Sequence, residues 1–208
     1  MGQELTPIIT YVILGITVLT SYKAFEDYEL KNKFLFTPYL VKHQGEWYRL
    51  FSHGIIHADW THLLINMFVL YSFGTLIEST FIQEYGLLRG RINYLLLYLG
   101  GIVVSTVNSY IKHQDDVSYN ALGASGATSA VLYSFVVMYP TEEVYLYFIP
   151  ITAWIFGVIY LMYSHYMAKK GNDNIGHDAH IGGAIYGVVL TILFNPDYFF
   201  TFFEKVFS

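Results

Sequence analysis

Two polar spots set within apolar runs have the makings of one catalytic site. Ser125 stands in Gly123-Ala124-Ser125-Gly126 at the start of one run, and His180 stands in Ala179-His180-Ile181-Gly182-Gly183 near the start of the last. A hydroxyl and an imidazole supply a nucleophile and its general base. Polar groups inside membrane segments are costly and usually mark function. A serine at a helix start also sits among backbone N–H groups that have no intrahelical partner, and such donors can hold an oxyanion. Alone, however, the glycine-flanked serine is more simply a small-residue packing face with a capping hydroxyl. His180, Gly183 and Gly187 fall on one helical face, where the glycines allow close approach of a partner helix. If that partner begins at Ser125, serine and imidazole meet. A histidine buried at a helix interface and bonded to backbone fits the same spacing equally well.

A third cluster is His53, His57, His62 and Asn66. His62 and Asn66 are four residues apart and share a helix face, so two side-chain donors can polarise one carbonyl oxygen. His53 and His57 precede that helix, and their simplest role is to tie down the preceding loop by hydrogen bonds. The rival chemistry is metal binding, because His53/His57 and His177/His180 have helical ligand spacing. No HExxH motif occurs. Asp178 precedes His180 by two residues and faces another way on a helix. A Ser–His dyad, which requires no cofactor and no metal, is therefore the economical reading.

The elements that must position these groups are membrane spans. The chain has 208 residues, of which 54% are hydrophobic and 13% charged, against about 25% charged in an ordinary soluble domain. Its mean hydropathy is +0.41, and its charges cluster between long apolar stretches, the pattern of an integral membrane protein. It has no cysteine, which excludes disulfides, zinc–thiolate sites and a thiol nucleophile. The net charge of −5 and the lack of a basic patch argue against nucleic acid as a partner.

The expected fold is all-α and polytopic, with spans at about 7–25, 60–82, 93–111, 121–139, 144–167 and 176–195. Pro140 and Pro196 close the fourth and sixth, and Pro150 predicts a kink in the fifth. The run after Met1–Thr6 lacks a basic leader and a small-residue cleavage site, so it reads as a retained helix. Without a linker or a repeat, residues 1–208 read as one domain with a core at about 7–195. The long first loop, 26–59, carries Phe34, Phe36, Tyr39, Trp47, Tyr48 and Phe51 and reads as embedded in the interface. The aromatic tail, 196–208, reads as interfacial. Loop charge does not orient the chain. Lys31, Lys33, Lys42 and Arg49 of the first loop outweigh Arg89, Arg91 and Lys205, and without that loop the two sides balance.

Taken together, His53, His57, His62-x-x-x-Asn66, Gly74-x-x-x-Glu78, Gly123-x-Ser125-Gly126 and Ala179-His180-x-x-Gly183-x-x-x-Gly187 closely resemble the rhomboid family of intramembrane serine proteases. Trp47-Tyr48-Arg49 is similar to the aromatic–arginine motif of that family's first loop. The resemblance implies a six-transmembrane-helix bundle with Ser125 as nucleophile, His180 as general base, and an oxyanion hole of His62, Asn66 and the Ser125 N–H. It also implies that Glu78 anchors the second helix, that the substrates are transmembrane proteins in the bilayer, and that the site of this cell-membrane protein opens to the extracytoplasmic side. A rhomboid-like protein that binds membrane clients without cutting them is the alternative. One departure stands out. Many members stack an aromatic on the catalytic imidazole from four residues after the nucleophile, and here that position is Ser129, so that His180 is held either by less packing or by another ring such as Tyr133.

Overall fold

The computed structural model describes residues 6–146, 148–170 and 176–208; residues 1–5, which bear on the reading of a retained first helix, lie outside them. Six long helices follow the expected order. They are α1 (Ile8–Glu26), α5 (Trp60–Tyr85), α6 (Leu87–His113, with a turn at Thr106), α7 (Ser125–Met138), α8 (Ala153–Lys170) and α9 (His177–Phe194). Among the described residues, α1, α5, α6 and α9 are long and apolar enough to cross a membrane by themselves. Helix α7 has 14 residues, and every one after Ser125 is buried. It is the post around which the others stand, so it needs no lipid-facing arc. Helix α8 ends in His165, Lys169 and Lys170, which lower its mean hydropathy.

The fifth span departs from expectation. Residues 143–146 and 149–152 pair as two antiparallel strands, β1 (Glu143–Leu146) and β2 (Ile149–Thr152), with Tyr145 opposite Pro150, and α8 starts only at Ala153. Pro150 therefore sits in a short strand and kinks no helix. The β-branched Val144, Ile149, Ile151 and Thr152 suit a strand, and a strand without further neighbours tolerates proline.

The first loop is folded into α2 (Tyr28–Phe34), α3 (Pro38–Gln44), α4 (Arg49–Ser52) and a 3₁₀ turn at His53–Ile55. Phe36, Val41 and Ile56 are fully buried. Arg49, 5% exposed, donates from Nη1 to the carbonyls of Asn32 and Leu35 at 2.8 and 2.7 Å, where a helix end leaves carbonyls unpaired. Trp47, Tyr48 and Phe51 are exposed around it. The tail forms α10 (Asp197–Phe207), in which Tyr198 and Phe202 pack on the core while Phe199, Phe200, Phe203 and Phe207 face outward.

Helix α5 is continuous but contains a π turn at Leu70–Gly74. Beyond that turn, Glu78 is completely buried. Its carboxylate accepts from the Ile9 and Thr10 N–H groups at 2.9 and 2.7 Å and from the Thr10 hydroxyl at 2.8 Å. These are first-turn N–H groups of α1, which have no intrahelical acceptor and lie at the positive end of the helix dipole. Arg91 lies 4.0 Å away on α6. Glu78 thus fastens the second long helix to the start of the first.

Candidate active site

The approach to Ser125 is laced to the first loop. Phe36 and Ala121 exchange two backbone hydrogen bonds of 2.9 Å, and Gly123 N–H donates to the His53 carbonyl at 2.9 Å. Ala124 N–H donates to His57 Nε2 at 3.3 Å. Because Nε2 accepts, the proton of His57 is assigned to Nδ1, which donates to Ser21 Oγ at 3.0 Å. Ser21 in turn donates to the Ile55 carbonyl. One imidazole therefore joins α1, the loop and the segment that enters α7. Burial and the neighbouring His62 ring, 4.9 Å away, push the His57 pKa down to about 3, so the ring stays neutral. Burial pushes His53 down to about 4. The His57 ring thus bonds the loop to its neighbours, and His53 contributes its backbone carbonyl to the same lacing.

Gly123 adopts φ +114°, in the region that favours glycine, and a Cβ there would lie 2.6 Å from His62 Cε1. The missing side chain is thus the space the His62 ring occupies, two residues before Ser125. One turn along α5, Asn66 Oδ1 accepts from the Thr128 hydroxyl at 3.0 Å, and that hydroxyl also bonds the Ser125 carbonyl. Asn66 Nδ2 donates to the His62 carbonyl at 2.9 Å, which leaves its second N–H for another acceptor. His62 and Asn66 both lie against the first turn of α7, whose N–H groups point out of the helix end.

The glycines define how α9 meets α7. A Cβ on Gly183 would fall 2.0 Å from the Gly126 carbonyl oxygen, and one on Gly187 would fall 2.2 Å from that of Ala130. On its other side Gly126 faces Ser105 of α6, whose Oγ would lie 2.1 Å from an added Cβ. The matched four-residue steps, 126 to 130 and 183 to 187, mean that α7 and α9 run parallel with both N-termini at one end. His180 precedes Gly183 by about 4.5 Å of helix rise, and Ser125 precedes Gly126 by about 1.5 Å. Both therefore emerge at the top of the same contact line. Ser125, His180 and His62 are part-exposed there, whereas the remainder of α7 is buried.

The ring held against His180 is Tyr160 of α8, not Tyr133. Tyr160 stacks on the imidazole with centroids 6.0 Å apart and planes at 19°, and its hydroxyl lies 3.0 Å from Nδ1. Tyr133 instead spends its hydroxyl on the Gly157 carbonyl at 2.6 Å. No spacing in the chain links residues 160 and 180, so the sequence carried no sign of this pair. Asp178 accepts from Asn108 and Lys112, each at 2.7 Å, and so is engaged away from His180. As for the metal reading, no three His, Asp or Glu side chains are grouped to hold an ion among the described residues. His53 and His57 serve separate partners.

Residues 44–196 match the family model described as Rhomboid domain. The chain is 28% identical over 186 residues to RHOMBOID-like protein 12, mitochondrial, of Arabidopsis thaliana, covering 86% of this chain and 55% of that protein. It is 31% identical over 148 residues to rhomboid protease GluP of Bacillus subtilis (strain 168), covering 69% and 25%. It is also 31% identical over 142 residues to presenilin-associated rhomboid-like protein A, mitochondrial, of Danio rerio, covering 64% and 33%. The chain thus spans about half the length, or less, of these relatives.

Proposed function

Given that the chain belongs to the rhomboid family of integral membrane proteins, we propose that it is an intramembrane serine endopeptidase working by a Ser125–His180 dyad on transmembrane protein substrates. The observation that carries this reading is the seating of Gly183 on the Gly126 carbonyl, which sets the two groups at the same end of two parallel helices. His180 takes the Ser125 proton, and the alkoxide attacks the scissile carbonyl. The resulting oxyanion forms against His62, the free N–H of Asn66 and the first-turn N–H of Ser125. The imidazolium returns its proton to the leaving amine, and water then releases the acyl group by the same route.

Part-exposure of the dyad within an otherwise buried centre gives water its entry. A helical substrate hides its peptide bonds, so the cleaved segment must unwind, and glycine, proline or polar residues ease that. By analogy with the family, the site opens to the extracytoplasmic side of a cell membrane and the termini are cytoplasmic. His57, Glu78, Gly123, Gly126, Gly183 and Gly187 support the site without reacting.

The test is labelling of the detergent-solubilised protein with a fluorophosphonate probe. We expect wild type to be labelled and Ser125→Ala to be silent while melting at nearly the same temperature, since one hydroxyl at a small-residue site contributes little to stability. Unlabelled wild type, or equal labelling of the variant, would overturn the dyad and leave the client-binding alternative.

A further inference from the structure

We infer that Tyr160 is the positioning residue of His180. Its phenol oxygen accepts the Nδ1 proton and so fixes the tautomer in which Nε2 carries the lone pair that takes the proton of Ser125. This rests on the proposed dyad and goes beyond it by naming what replaces a carboxylate behind the imidazole.

The argument begins with direction. The Tyr160 hydroxyl and His180 Nδ1 are 3.0 Å apart, and two proton arrangements satisfy that distance. If the phenol donates, Nδ1 is the bare nitrogen and Nε2 carries the hydrogen. Nε2 is then a donor and cannot act as a base. If Nδ1–H donates, Nε2 has the lone pair the reaction needs. The proposed reaction requires the second arrangement, and the surroundings accommodate it. Ser129 of α7 and Ser164 of α8 both lie near the same phenol, and a serine hydroxyl can take the phenolic proton, which leaves a phenol lone pair for Nδ1–H.

Other groups also pack near His180. From α9 itself, His177 meets the ring edge-on with centroids 5.6 Å apart. From α8, Tyr163 packs against His177. Asp178 of α9 and Lys112 of α6 are paired with each other at 2.7 Å. From α7, Ser125 and Ser129 are neutral. Tyr160 reaches Nδ1 at 3.0 Å.

Tyr160 is itself held in place. Phe156 stacks beside it with centroids 6.1 Å apart and planes at 18°, and the Tyr133 ring lies 6.3 Å away. Ring orientation and the hydrogen bond therefore agree, and both act on the imidazole from α8. During the reaction the Ser125 proton moves to Nε2. The Nδ1 proton stays where it is, now shared between an imidazolium and a neutral oxygen, and no proton leaves the pair. A hydrogen bond that strengthens when its donor becomes charged favours the charged form.

The test compares wild type, Tyr160→Phe and Tyr160→Ala, as full chains in detergent, by the rate of fluorophosphonate labelling across pH. Phenylalanine keeps the stacked ring and removes the acceptor. We expect the limiting labelling rate to fall about tenfold or more with half-saturating probe concentration unchanged. The acidic limb should move to lower pH by on the order of one unit, and the melting temperature should stay near wild type. Tyr160→Ala should be slower still, since it also frees the ring. Labelling of Tyr160→Phe at the wild-type rate would overturn the inference and leave the dyad standing. A rate loss accompanied by a lower melting temperature and an unmoved acidic limb would overturn it too, by making the role structural. Wild type that does not label at Ser125 would overturn the dyad itself, and this inference with it.

Discussion

Substitution of Gly183 by alanine adds one methyl group and removes no reacting atom, yet it should nearly silence the protein. The new Cβ would lie 2.0 Å from the Gly126 carbonyl oxygen, 2.8 Å from its carbon and 3.1 Å from its Cα. Carbon atoms rest at about 3.5–4.0 Å from their neighbours, and a first-turn carbonyl committed to its helix hydrogen bond cannot rotate out of the way. Helix α9 must therefore back away from α7 by roughly 1 Å or more. Such overpacking costs about 1–3 kcal/mol of stability. His180 travels with its helix while Ser125 stays with α7, and a displacement of about 1 Å at reacting groups costs on the order of a hundredfold in rate. The rate of fluorophosphonate labelling, normalised to folded protein, reads that loss. Gly182→Ala is the control. Its Cβ would sit 3.3 Å from Ser105 Cα and 3.6 Å from the Val104 carbonyl, a contact that small adjustments relieve, so its rate should stay near wild type. A Gly183→Ala variant as fast as wild type would show that the α7–α9 contact line does not align the two groups.

Two further outcomes follow from the same geometry. Asn66→Ala should cut turnover of a transmembrane reporter by about 10²–10³-fold, the usual contribution of one oxyanion donor, and thus less than His180→Ala, because His62 and the Ser125 N–H remain; equal loss in both would give Asn66 a larger role through its bond to Thr128. The neutral burial of His53 and His57 should make the fold acid-sensitive. Above their ordinary value of 6.5 both states are neutral and nothing changes, whereas below it only the unfolded chain takes up protons until pH nears the buried values of about 4 and about 3. Each should remove about 1.4 kcal/mol per pH unit in that window, so the thermal midpoint in detergent should fall clearly between pH 7 and pH 5.5, and a flat profile there would count against neutral burial.

The parts of the site that could be read from the chain are those a single helix carries. His180, Gly183 and Gly187 share a face because of the helical repeat alone, and the structure docks that face on the helix starting at Ser125. His62 and Asn66 were legible for the same reason. What escaped is what lies between elements. Tyr160 reaches His180 across two helices, and nothing in either local sequence marks the pairing. The same is true of Ser21 with His57 and of Thr128 with Asn66. The strand pair β1–β2 escapes for another reason. Val144, Tyr145, Ile149 and Ile151 are as apolar as a helix needs, so hydropathy runs the fifth span through them; the β-branched Val144, Ile149 and Ile151 and the proline at 150 are the contrary signal. The fourth span began too early, since Ala121 is engaged with Phe36 before α7 starts.

The π turn at Leu70–Gly74 changes what the length of α5 means. Asn66 and Glu78 are twelve residues apart, which on a straight α-helix would leave them about 120° out of phase. A π turn takes in one surplus residue, so the azimuth between them closes to about 20°. The amide that meets α7 and the carboxylate that meets α1 thus project along nearly one meridian of the helix. Glu78 reaches the start of α1 through the number of residues that separate it from Asn66 as much as through its own charge.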